Sequence, residues 1–149
     1  MEQPIIVCLC GSTRFHKAFR ENNLRETLAG RIVLSIGIDT RSDEDLLLAG
    51  FAGGMTLADK ERLDLLHLQK ISLADEVLVL NVQGYIGEST ARELAYAREQ
   101  GKIVRFLELC VNCASPAEAY CPGCRKSWCS VCYERHYESN LQAAREVSR

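Results

Sequence analysis

The feature that most restricts this chain lies towards its end, in the pattern Cys110-x2-Cys113-x7-Cys121-x2-Cys124-x4-Cys129-x2-Cys132-x3-His136. Three Cys-x-x-Cys pairs and one histidine in so short a stretch are thiolate and imidazole donors at the spacing of tetrahedral zinc sites. A segment of this length buries little core, so bound metal would supply much of its folding energy. Of the chain's 8 cysteines, only Cys8 and Cys10 fall elsewhere. Extracellular disulfide scaffolds reach a similar density. Paired Cys-x-x-Cys units, with no charged leader or signal-like core ahead of the first apolar run, favour zinc instead.

The rest of the 149 residues alternates apolar runs with helical periodicity. Pro4 to Cys10 (PIIVCLC) reads as a buried strand closed by Gly-Ser-Thr. Phe15 to Leu28 follows as a helix stopped at Gly30, and Ile32 to Ile38 as a second strand. The polar start and glycine-rich end of residues 39–54 predict a loop over a site, with one short helix inside it. Thr56 to Ala74 is the clearest helix, with Leu57, Leu63, Leu66, Ile71 and Leu73 expected on its core face. Glu76 to Asn81, a helix from Thr90 to Gln100, and a strand from Ile103 to Leu107 complete the series. Strands alternating with helices predict an α/β fold: a Rossmann-like, mainly parallel sheet with helices on both faces, plus a small C-terminal zinc-binding module. The expected divisions are an α/β domain over 1–108, a cysteine-rich finger over 109–137, and a polar, helical tail over 138–149.

Composition narrows the partners. A hydrophobic fraction of 47% supports a real core, and a net charge of -2 without any basic block gives no electrostatic case for nucleic acid or a membrane surface. Arg125, Lys126 and Trp128 alone do not make a nucleic-acid interface. No window approaches a membrane-spanning apolar run, so a soluble, cytoplasmic protein is expected.

Two loops carry the candidate chemistry. Gly11-Ser12-Thr13-Arg14 follows the first strand, and its glycine, helix-start amides, hydroxyls and guanidinium suit phosphate. An ordinary strand-to-helix turn reads the same way. It is neither a dinucleotide fingerprint nor a Walker loop, and no organic cofactor is expected. The second loop, VQGYIGESTA at 82–91, empties the third strand into a helix, the position at which open α/β sheets bind ligands. Gly87, Glu88, Ser89 and Thr90 line its end, Tyr85 offers a face for a base or a dimer contact, and Asn81 stands at the ligand edge of the strand. Ser89 or Thr90 can cap the helix, and Glu93 falls three residues past Thr90, as in a capping box. Capping and catalysis compete for that carboxylate. Glu88 is its rival, either facing ligand or pairing with Arg92. Asp39 and Asp43 follow the second strand, and Asp64 and His67 share one face of the long helix.

GSTRF at 11–15, ADEVLVLN at 74–81 and GYIGESTARELAYA at 84–97 together resemble the nucleoside 2-deoxyribosyltransferase-like superfamily, which includes deoxynucleoside-monophosphate N-glycosidases. The resemblance covers residues 4–108. It implies that Glu93 is the nucleophile of N-glycosidic bond cleavage, that Arg14, the first-loop amides and Ser89 hold sugar or 5'-phosphate, and that His67 or Asp64 stands where the family has a second acidic group. It also implies a homodimer. The finger is similar to a B-box, whose interleaved pattern would give Cys110, Cys113, Cys129 and Cys132 one zinc and Cys121, Cys124 and His136 a second. A B-box has one more histidine than this chain, so Glu138, water or a single-zinc module would account for the eighth place.

The expected function is therefore hydrolysis or transfer at the N-glycosidic bond of a nucleoside or nucleoside 5'-monophosphate. The alternative is a non-catalytic nucleotide sensor that contacts a protein partner through the finger. A structural zinc protein whose α/β domain presents the finger is a third reading. A Glu93 folded back onto Thr90 would favour the last two.

Overall fold

Residues 6–10 and 77–80 are almost wholly apolar, the composition of strands covered on both faces. In the computed structural model, which describes residues 2–37, 41–49 and 54–147, they form the two central strands of a four-stranded sheet. The chain divides into two compact units, one made of residues 1–80 and 86–105 and the other of 81–85 and 106–149.

The first unit runs β1 (Ile6–Cys10), α1 (His16–Leu28), β2 (Ile32–Leu34), α2 (Asp43–Ala49), α3 (Leu57–Leu73), β3 (Glu76–Val79), α4 (Glu88–Glu99) and β4 (Ile103–Phe106), whose last residue lies past the boundary. Strand order is β2-β1-β3-β4. β1 pairs in parallel with β2, Val7 opposite Val33, and with β3, Cys8 opposite Val77. This is the expected mainly parallel α/β sheet flanked by helices. Val7 to Cys10 and Val77 to Leu80 are buried, and Phe19, Ile71, Leu94 and Ala97 close the core from the helices.

Gly11 ends β1 where its chain meets the end of β3. A Cβ there would stand 3.0 Å from Leu80 Cβ, and the Leu80 amide donates to the Cys10 carbonyl at 2.7 Å. The glycine leaves room for that close approach.

One buried carboxylate is paired with arginines. Glu26 of α1 accepts from Arg105 Nη2 at 2.8 Å and pairs with Arg31, while Arg105 Nε also donates to Glu76 at 2.9 Å. Burial raises the Glu26 pKa, but hydrogen bonds from Arg105 and Arg31 outweigh it and hold the carboxyl at about 2.

α3 corrects one expectation. Thr56 and Asp59 form a reciprocal capping box that fixes its start, but its buried residues are His67 and Ile71. Leu57, Leu63, Leu66 and Leu73 are exposed, Leu57 at 73%. The helix turns His67 inward because polar groups on β1 and α4 receive it there, and the leucines are carried outward with the rotation.

The second unit contains a hairpin, β5 (Ala119–Cys121) with β6 (Lys126–Trp128), and α5 (Ser130–Val147), which runs unbroken through the stretch read as a tail. Asn81 is fully buried in it, its amide donating to the carbonyls of Glu108 and Ala117 at 2.9 and 3.0 Å and its oxygen accepting from the Glu108 amide at 2.9 Å. Gly84, at φ +78°, has no room for a Cβ, which would stand 2.5 Å from the Ala119 nitrogen.

Candidate functional site

Along an extended strand, residues two apart share a face, and Cys8 and Cys10 of β1 point together at α3. Cys10 Sγ lies 3.3 Å and Cys8 Sγ 3.9 Å from His67 Nε2. The same nitrogen stands 3.8 Å from Glu93 Oε2 of α4. The cluster joins three elements of the first unit. His67 is buried, and Glu93 is mostly buried, with 15% of its side chain exposed.

Glu93 is not a capping residue. α4 begins at Glu88 with Gly87 as its N-cap and no side-chain cap, so Thr90 already lies inside the first turn. Thr90 is buried, Ser89 Oγ accepts from Arg92 Nη2 at 3.3 Å, and Glu88 is exposed. Glu93 Oε2 and His67 Nδ1 are buried and make no hydrogen bond among the described residues.

The electrostatics follow from that enclosure. Burial pushes the Glu93 carboxyl up to about 7, against the attraction of His67. His67 is raised: burial opposes its charge, but its bond to Cys8 and the charges of Cys8 and Glu93 favour it. Cys8 is lowered to about 6, chiefly by the hydrogen bond from Cys10 and further by His67, with burial opposing. Cys10, the donor in that bond, is raised.

Glu93 also lines a cleft of about 610 Å³ between α3 and α4, with Asp64, Leu65 and Leu68 on one wall and Ser89 and Tyr96 on the other. That is the volume of a small-molecule site. Of the two helical candidates, His67 is the one beside Glu93. Asp64 is held by Lys60 at 3.0 Å, and Lys60 also pairs with Asp43 at 3.3 Å.

The first loop is placed elsewhere. None of Gly11, Ser12, Thr13 and Arg14 lines the Glu93 cleft. Thr13 Oγ1 accepts from the Asp43 amide at 3.0 Å and borders a recess of about 20 Å³, room for a water. Arg14 is exposed. Asn81 and Tyr85 belong to the second unit, where Asn81's bonds to the backbone engage it fully. Asp39 lies outside the described residues.

In the second unit the zinc-type donors converge in two interleaved sets, Cys110, Cys113, Cys129 and Cys132 in one, and Cys121, Cys124 and His136 in the other. Cys113 Sγ is 3.6 Å from Cys129 Sγ, and His136 Nε2 is 3.3 Å from Cys121 Sγ and 3.5 Å from Cys124 Sγ. These are the separations of atoms sharing one tetrahedral ion. Both knuckles have one geometry: the residue after the second cysteine takes positive φ, Ala114 at 58° and Arg125 at 55°, and donates to the first cysteine's carbonyl at 2.9 and 2.8 Å. Backbone amides favour the thiolates zinc requires. Burial raises Cys110, but the amides of Cys129, Asn112 and Cys113 bring it to about 6; the Cys124 amide and then His136 bring Cys121 to about 7. Trp128 stacks on His136 and orients it. Asn140, one turn beyond, brings its amide nitrogen within 3.2 Å of Nε2.

Comparison with protein-family models and with curated proteins returns no match to this chain. The fold and the donors therefore define it: an α/β protein with a C-terminal Cys/His cluster suited to zinc. No helix among the described residues is long and apolar enough to cross a membrane.

Sequence reasoning missed Cys8 and Cys10. The signal was present, since cysteines at i and i+2 of a strand present both thiols to one helix.

Proposed function

We propose that the first unit is a nucleoside 2-deoxyribosyltransferase-like domain that cleaves the N-glycosidic bond of a nucleoside or nucleoside 5'-monophosphate, with Glu93 as nucleophile. The observation that carries this reading is Glu93 itself: a carboxylate at the margin of an open cleft, released from capping, with His67 Nε2 at 3.8 Å. Glu93 attacks the anomeric carbon, a C–O bond forms as the C–N bond breaks, and the electron pair leaves with the base, which takes a proton. Water then cleaves the glycosyl ester and returns the carboxylate, or a second base accepts the sugar. His67 in its charged form stabilises the ionised nucleophile, a part Asp64 is poorly placed for while bound to Lys60.

Ser89 and Tyr96 supply polar groups to the cleft for the sugar or phosphate. The zinc module stiffens the protein or contacts a protein partner. A second copy of the chain accounts for the leucines exposed along α3, and a cytoplasmic dimer is the proposed form.

The test is base release from a panel of nucleosides and 5'-monophosphates, by wild type and Glu93→Ala in parallel, with and without a second free base. Release that disappears in the variant supports the reading. No release from any substrate replaces it with a nucleotide-binding protein.

A further inference from the structure

We infer that Cys8, Cys10 and His67 form a metal site of their own in the first unit, for a soft divalent ion such as zinc. The three donor atoms lie within 4.8 Å of one another. The Cys10–His67 separation of 3.3 Å and the Cys8–His67 separation of 3.9 Å span those within the C-terminal sets, 3.3 to 3.6 Å. Two thiolates and one imidazole nitrogen, with an open fourth position, are a recognised zinc donor set.

Burial makes the argument sharper. Cys8, Cys10 and His67 are all buried, and their hydrogen bonds run among themselves. The thiolate forms that bind metal are costly so far from water unless a counter-charge is present. One divalent cation bound by both sulfurs and Nε2 balances the charge of the two thiolates. It displaces the thiol protons still present on Cys8 and Cys10 to solvent. The cleft that exposes part of Glu93 is the way in.

One consequence rests on the N-glycosidase reading: with Nε2 held by metal, His67 cannot carry a proton at that atom beside Glu93. The site itself is read without any substrate.

The experiment is metal content and cadmium NMR on the full chain, wild type beside C8S/C10S. The cadmium shift depends on the number of thiolate ligands, so the Cys8–Cys10–His67 site and the Cys121–Cys124–His136 site fall in the two-thiolate range, apart from the four-thiolate one, and the number of two-thiolate resonances is what reads the new site. The expected result is one ion per chain more in wild type than in C8S/C10S, and two two-thiolate resonances in wild type where the variant keeps one. Equal metal content, or a wild-type spectrum with a single two-thiolate resonance, overturns the site. Should C8S/C10S fail to fold, the wild-type spectrum decides alone. Base release that persists in a chain shown to lack this ion leaves the glycosidase standing while the metal site falls, so the two failures are distinguishable.

Discussion

His67 Nε2 and Glu93 Oε2 face each other at 3.8 Å inside the first unit, one on α3 and the other on α4. The proposed nucleophile, Glu93, would have to be ionised to attack, and burial pushes its pKa up to about 7. Base release by the metal-free chain is therefore expected to climb with pH through about 7 and level off above it. Glu93→Gln should lower the rate on the order of a thousandfold or more. His67→Gln removes the positive neighbour that favours the carboxylate, so the climb should move to higher pH. A rate profile flat from acid to alkaline pH would count against Glu93.

The same shift has a signature in stability. Glu93's folded pKa of about 7 exceeds its ordinary 4.5, so its contribution is fully present below about 4.5 and is lost as pH rises through 7. Glu93→Gln abolishes that dependence. Denaturant melts of both proteins at intervals across this range should converge in slope only outside it.

Glu26 behaves in the opposite sense. Its folded pKa of about 2 lies below 4.5, so its stabilisation is present above the ordinary value and lost as pH falls through 2. Glu26→Gln leaves Arg31 and Arg105 without their buried acceptor and should cost about 3 kcal/mol. Equilibrium denaturation at neutral pH measures it, and a loss under half that size would mean Glu76 replaces it.

Ala114 and Arg125 hold positive φ that L side chains resist. Ala114→Gly and Arg125→Gly should each stabilise the metal-loaded second unit by about 1 kcal/mol. Thermal melts of the zinc-loaded variants test this, and lower midpoints would refute the strain.

Trp128 lies on His136 with ring centroids 4.3 Å apart and planes 17° from parallel. Removing metal frees that imidazole and the six thiols around it, and a unit with so little apolar core should lose its hairpin and α5 together. Chelator titration followed by circular dichroism and by Trp128 fluorescence should give coincident transitions.

Much of this architecture was legible from hydrophobic runs and glycines. VCLC and VLVL read as strands covered on both sides, and the resemblance of the finger to a B-box implied the same two donor sets that converge here. The inner face of α3 was not legible. Leucines at helical spacing read as core, yet the helix buries His67, because Cys8 and Cys10 receive it from a strand far away in sequence. The start of α4 failed for a local reason. Gly87 serves as its N-cap, although serine and threonine two and three residues later looked better suited. That shift took Glu93 out of the capping box.

The route of the chain through its two units sets a limit on how it can be cut. The backbone leaves the first unit at Leu80, contributes five residues to the second, re-enters at Ile86 and leaves again after Arg105. Asn81 and Gly84 are in place only beside Glu108, Ala117, Glu118 and Ala119. Deleting the finger would strand a buried amide and a glycine turn in the middle of what remained. The cysteine-rich segment is thus not an appendage that follows a completed first unit. The chain enters the second unit twice, and a gene shortened at residue 105 would encode a protein whose segment between β3 and α4 had lost its partners.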